Sequence, residues 1–89
     1  MKHVVKRNST LESYDSRKVY ASIYASCLSV HEPTVAAELI AEKVTHDVTA
    51  WITAKSEVTA NDVRLFAGKK LTEINPHAGY LYLHHRIMW

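Results

Sequence analysis

Val4-Val5-Lys6-Arg7-Asn8-Ser9-Thr10-Leu11-Glu12-Ser13-Tyr14-Asp15-Ser16-Arg17-Lys18-Val19 is the stretch on which the reading of this chain turns. Residues 3 to 7 are β-branched and basic, Asn8-Ser9-Thr10 is a turn-forming cluster, and Leu11 to Tyr14 alternates apolar with polar. That pattern predicts a short β-hairpin over about 3–14. Asp15 then stands where a helix N-cap is wanted, and Val19, Ile23, Cys27 and Val30 recur at helical spacing, predicting a first helix over about 16–28. A lone two-stranded hairpin is marginal in water, so it must lie as a lid across helices, with Val4 or Val5, Leu11 and Tyr14 as its packing face.

Working outward, His31-Glu32-Pro33 breaks the first helix, and Pro33 suits the first turn of a second one over about 33–53, with Ala36, Ile40, Val44, Val48 and Trp51 on one stripe. Thr59-Ala60-Asn61-Asp62 reads as a capping box with aspartate in place of the usual glutamate. It opens a third helix over about 60–74 whose apolar positions are Val63, Phe66, Ala67, Leu71 and Ile74. Asn75-Pro76 repeats the stop-and-restart signal and predicts a fourth helix over about 76–88, carrying Ala78, Leu81 and Tyr82. The expected fold is therefore α+β but mostly α, a hairpin lid over a four-helix bundle, in a single domain spanning 1–89.

Size and composition fit this. A chain of 89 residues has room for one modest core, and an apolar fraction of 47% with two glycines and two prolines is that of a folded domain. The single cysteine excludes an internal disulfide framework and a cysteine-rich zinc ribbon, so a reducing, cytoplasmic setting is expected. Charges interrupt every apolar stretch well short of the ~20 residues that a bilayer core demands, and the polar start lacks a secretory signal. The net charge of +2 is unevenly spread: through position 18 there are five basic and two acidic residues, and the rest of the chain has six basic and seven acidic.

That basic segment carries the chemistry. Lys6 and Arg7 alternate across a strand while Arg17 and Lys18 open the first helix, so one residue of each pair can face inward. Lys6 and Lys18, assisted by Arg7 and by the helix N-terminal amides, suit a group with several negative oxygens, such as a nucleotide triphosphate. Glu12 and Asp15 repel an anion but accept hydrogen bonds from an adenine amine or a ribose hydroxyl, so acids beside bases suggest a ligand with both kinds of group. The plainer alternatives are that Asp15 only caps the helix and Glu12 only pairs with Lys6 across the hairpin.

These residues, in this order, resemble the opening motif of the ATP-cone domain, a β-hairpin over a four-helix bundle found in many ribonucleotide reductase large subunits and in their transcriptional repressor. The similarity runs over nearly the whole chain, through Val58-Thr59-Ala60-Asn61-Asp62-Val63 and the Ala/Tyr-rich segment from Ala78 to Tyr82. The resemblance implies phosphate contacts at Lys6, Arg7 and Lys18, base contacts at Glu12 and Asp15, and apolar walls around adenine at Val4 and Val19. It further implies a polar ligand contact at Arg64 and a late phosphate contact at His84 or Arg86. The family usually has Asp-Gly after the Lys-Arg pair, where this chain has Asn8-Ser9, residues that still suit a turn.

The resemblance implies a non-catalytic sensor of ATP or dATP with Mg2+, which regulates its own oligomerisation or a partner such as ribonucleotide reductase or another protein of nucleotide metabolism. Met1 suits a stand-alone chain, although a regulatory domain cut from a larger protein reads equally well. The six histidines show no pair at the i,i+4 spacing of a helical metal site, Cys27 lies on an apolar stripe, and there is no glycine-rich phosphate loop for hydrolysis. The rival is a nucleic-acid-binding module that lays the basic N-terminal arm on a phosphate backbone, and its weakness is the acidic pair inside that arm.

Overall fold

The computed structural model describes residues 3–5 and 11–85. It is mostly helical, with four helices among the described residues: α1 (Ser16–Ser29), α2 (Thr34–Thr53), α3 (Ala60–Ile74) and α4 (Pro76–His85). Three short segments have strand geometry: β1 (His3–Val5), β2 (Leu11–Ser13) and β3 (Val58–Thr59). β1 pairs antiparallel with β2, placing Val4 opposite Glu12, and parallel with β3, placing Val5 opposite Thr59. The sequence carried no expectation of β3, because two residues are too short to show an alternation.

Each helix start has a local cause. The Asp15 carboxylate accepts from the Arg17 amide at 2.9 Å from an extended backbone (φ −125°, ψ 104°), which satisfies a donor that the first turn of α1 leaves open. Thr59 and Asp62 form the reciprocal capping box of α3, each side chain accepting from the other's amide at 3.0 Å. Asn75 ends α3 and starts α4: its amide donates to the Leu71 carbonyl at 2.8 Å and its side-chain oxygen accepts from the Ala78 amide at 3.0 Å. Pro33 sits one place earlier than expected. It is the residue before α2 (φ −59°, ψ 148°), and its carbonyl takes the first helical hydrogen bond, from the Ala37 amide at 2.8 Å.

α1 runs one residue beyond expectation and stops in a Schellman turn. His31 adopts a left-handed backbone (φ 68°), so that its amide reaches the Leu28 carbonyl and the Glu32 amide reaches the Cys27 carbonyl, both at 3.0 Å. Glycine usually fills that place, since a side chain is disfavoured at positive φ. The predicted end of α4 at residue 88 lies outside the described residues.

The helices contact one another in the order α1, α2, α3, α4, with α4 returning to α1. Their shared core contains Val19, Ile23 and Cys27 of α1, Val63, Ala67 and Leu71 of α3, and Ala78 and Tyr82 of α4. On α2 the fully buried line is Ala37, Ala41, Val44, Val48 and Ile52. The expected stripe was therefore one residue off at three places: Ala36, Ile40 and Trp51 flank the core half-buried, because small alanines occupy the innermost positions. Similarly, Phe66 and Leu81 are half-buried, and Ile74, expected inside, is 44% exposed at the last turn of α3.

The α3–α4 contact is close because two glycines open notches in it. A Cβ on Gly79 would fall 2.6 Å from the Thr72 Cα, and one on Gly68 would fall 2.5 Å from the Leu83 Cγ. Ser22 and Ser26 of α1 are completely buried, and their hydroxyls are satisfied within the helix, on the carbonyls of Val19 and Ser22 at 3.0 Å.

Candidate functional site

The segment that the sequence marks as chemical runs from β1 through β2 into the first turn of α1. Val4 and Glu12 are brought together as a register pair of the β1–β2 ladder. Lys6, Arg7 and Arg86 lie outside the described residues. Asp15, Lys18 and Val19 stand together where α1 begins, tied by the first helical hydrogen bond from the Lys18 amide to the Asp15 carbonyl at 3.1 Å.

Asp15 is committed to its own turn. Besides capping α1 it holds the Arg17 guanidinium, with Nε to Oδ1 at 3.1 Å and Nη2 to Oδ2 at 3.2 Å. These side-chain bonds, and after them the Arg17 amide, keep the Asp15 carboxyl below the ordinary carboxylate range. The capping alternative is thus realised. Arg17 and Lys18 both project to solvent, Arg17 with its side chain 90% exposed, so neither faces inward as alternation suggested. Val19, by contrast, is fully buried.

Arg64 is the clearest departure. Its Nη1 donates to the Leu83 carbonyl of α4 at 2.9 Å and its Nη2 to the Asn61 side-chain oxygen at 2.8 Å. The guanidinium therefore already has two partners, one of them a backbone carbonyl of α4. His84 is exposed and packs its ring on Tyr80, with centroids 4.1 Å apart. Through Arg64 the start of α3 and the end of α4 meet, and through the Val5–Thr59 pairing β1 joins the start of α3.

Two side chains that the site argument overlooked tie this segment to the helices. The Tyr14 hydroxyl, directly after β2 and before the Asp15 cap, lies 2.9 Å from the Thr49 Oγ1 on α2. Burial raises the Tyr14 phenol above its ordinary value. The sequence shows Tyr14 as a packing residue and as the aromatic of the family motif, and nothing in it pairs Tyr14 with a threonine 35 positions away.

The remaining reactive groups are quiet. Cys27 is buried in the core, and burial pushes its thiol up to about 11, which removes the thiolate a nucleophile would need. Among the described residues no three His, Cys, Asp or Glu side chains are grouped to hold a metal ion, and no helix is long and apolar enough to cross a membrane. Trp51 stacks on Phe66 with centroids 4.4 Å apart and planes 5° from parallel, so its ring faces are used in helix packing.

The sequence model of the ATP cone domain matches residues 2–89. The chain belongs to the ATP-cone family. The match takes in every element described above, the strand pair included. ATP-cone domains are nucleotide-binding regulatory modules that take adenine nucleotides. A search of curated proteins returned no match for this chain.

Proposed function

We propose that this chain is a non-catalytic allosteric sensor of ATP or dATP, bound with Mg2+ beneath a lid formed by the strand pair. Lys6, Arg7 and Lys18 hold the phosphates, Glu12 meets the base, and Val4 lines the adenine; Arg86 and His84 complete the phosphate end. Asp15 acts chiefly by capping α1, which keeps the first-turn amides fixed near the phosphates, and Arg64 acts through α4. The observation that carries the reading is the ATP-cone match over residues 2–89. Binding without turnover is supported by the protonated, buried Cys27 and by the lack of a glycine-rich phosphate loop in the sequence.

The output of such a sensor is a change in self-association or in docking to a partner, with ribonucleotide reductase the partner that the family resemblance suggests. A nucleotide shifts that equilibrium only by binding one state more tightly than the other.

The test is a thermal-shift titration with ATP, dATP, GTP and CTP in Mg2+, repeated on Lys6→Ala. A ligand at ~100 times its dissociation constant adds about 2.7 kcal/mol. Stabilisation by adenine nucleotides alone, lost in the variant, is the expected result. An equal response to all four nucleotides, or none alongside salt-dependent DNA binding, replaces the sensor with a general anion site or the nucleic-acid module.

A further inference from the structure

We propose that the hydroxyl pair Tyr14–Thr49 is the latch through which the N-terminal strand segment sets the position of α2, so that Tyr14 is a positioning residue for the nucleotide response. This rests on the nucleotide-sensing reading above and adds how occupancy of the N-terminal segment is passed to the helices. Tyr14 stands between β2 and the residue that caps α1, so any ligand that shifts β2 or the start of α1 moves its ring. The ring is half-buried against the core, and its hydroxyl meets Thr49 at 2.9 Å, inside the range of an O–H···O hydrogen bond. A bond made at that depth, between groups 35 residues apart, is sensitive to small displacements, because geometry outside a narrow window forfeits it and leaves partly buried hydroxyls unpaired.

What lies beyond Thr49 makes the latch consequential. Trp51 follows two residues later on α2 and is stacked on Phe66 of α3. A displacement of α2 at Thr49 therefore reaches the α2–α3 contact directly, and Trp51 reports it optically. One turn before Thr49, the Thr45 Oγ1 is buried and makes no hydrogen bond, which supplies a matched control: a hydroxyl on the same helix, equally removable, with no bond to lose.

The experiment uses the full chain in a Trp89→Phe background, leaving Trp51 as the sole tryptophan. Calorimetric titration with MgATP and Trp51 emission are measured for this parent, for Tyr14→Phe, Thr49→Val and their double variant, and for Thr45→Val. The expected result is that MgATP alters Trp51 emission in the parent. Tyr14→Phe and Thr49→Val each still bind but with about five-fold weaker affinity, the Trp51 response falls by half or more, and the double variant is no worse than either single one. Thr45→Val leaves both readouts unchanged. The latch is overturned if the parent binds MgATP with no change at Trp51, if either single variant keeps parental affinity and emission response, if the two losses multiply, or if Thr45→Val has the same effect. Absence of any MgATP binding by the parent sinks the nucleotide reading itself, and the latch with it. Melting curves without nucleotide separate a folding defect from lost coupling, since Tyr14→Phe retains the buried ring and a merely structural role would lower the melting temperature while leaving the emission response intact.

Discussion

Arg64 reaches from the second turn of α3 to the backbone carbonyl of Leu83 on α4, 2.9 Å away, and so ties α4 to the start of the preceding helix. α4 follows α3 with only Asn75 between them, and this bond joins the two helices well away from that turn. Arg64→Met, which keeps the aliphatic stem, is expected to cost about 1.5–3 kcal/mol, the usual range for a hydrogen bond that involves a charged group. Affinity for adenine nucleotide should change much less than it does in Lys6→Ala. Chemical denaturation combined with MgATP titration of the two variants checks this division of roles.

Asp15 gives the protein a predictable acid response. Its carboxyl is held below the ordinary range by Arg17, so the native state binds the proton less readily than the unfolded chain. The resulting stability is present above the unfolded value, near ~3.9, and is lost as pH falls through the lower native value. Melting temperatures followed from pH 6 down to pH 2 should drop less steeply in Asp15→Asn than in the wild type. The variant should also melt lower at neutral pH, and because Arg17 lies in solvent, 1 M salt should narrow that gap.

Gly79 is where the α3–α4 contact tolerates least. An alanine there meets the Thr72 Cα at 2.6 Å, a backbone atom that cannot swing aside, and it also meets the Thr72 hydroxyl, which is bound to the Gly68 carbonyl at 2.7 Å. Gly79→Ala is expected to destabilise by about 1–3 kcal/mol, as overpacking does. Gly68→Ala meets only the Leu83 side chain and should cost less. Thermal unfolding of both variants orders them, since 1 kcal/mol moves the midpoint of a domain of this size by roughly 4–8 °C.

Local chemistry explains which parts of the fold the sequence disclosed. The α3 bounds, the Thr59–Asp62 box and the Asp15 cap follow from interactions within four residues, and they stand where the sequence placed them. The α2 stripe missed by one position because a 20-residue helix offers neighbouring lines of similar apolarity, and only contact with α1 and α3 selects the alanine-lined one. β3 escaped because a parallel pairing with β1 depends on residues more than fifty positions apart. At the site, the basic segment and its acidic partners were visible as composition and order. The Arg64–Leu83 and Tyr14–Thr49 bonds were not, because each joins two helices or a strand end and a helix through side chains whose chemistry gives no hint of a distant partner.

Thr59 ends β3 and caps α3, and this double duty bears on how the chain tolerates changes of length. The preceding residues 54–57 are exposed and belong to no strand, so extra residues there lengthen a loop at small entropic cost, about 0.6 kcal/mol per doubling. An insertion at Thr59 itself forces a choice: keep the register with Val5 and lose the box with Asp62, or keep the box and slip the strand. Tags, reporters and natural length variation therefore belong between Ala54 and Glu57, whereas Val58 to Asp62 acts as a fixed ruler between the chain's beginning and its third helix.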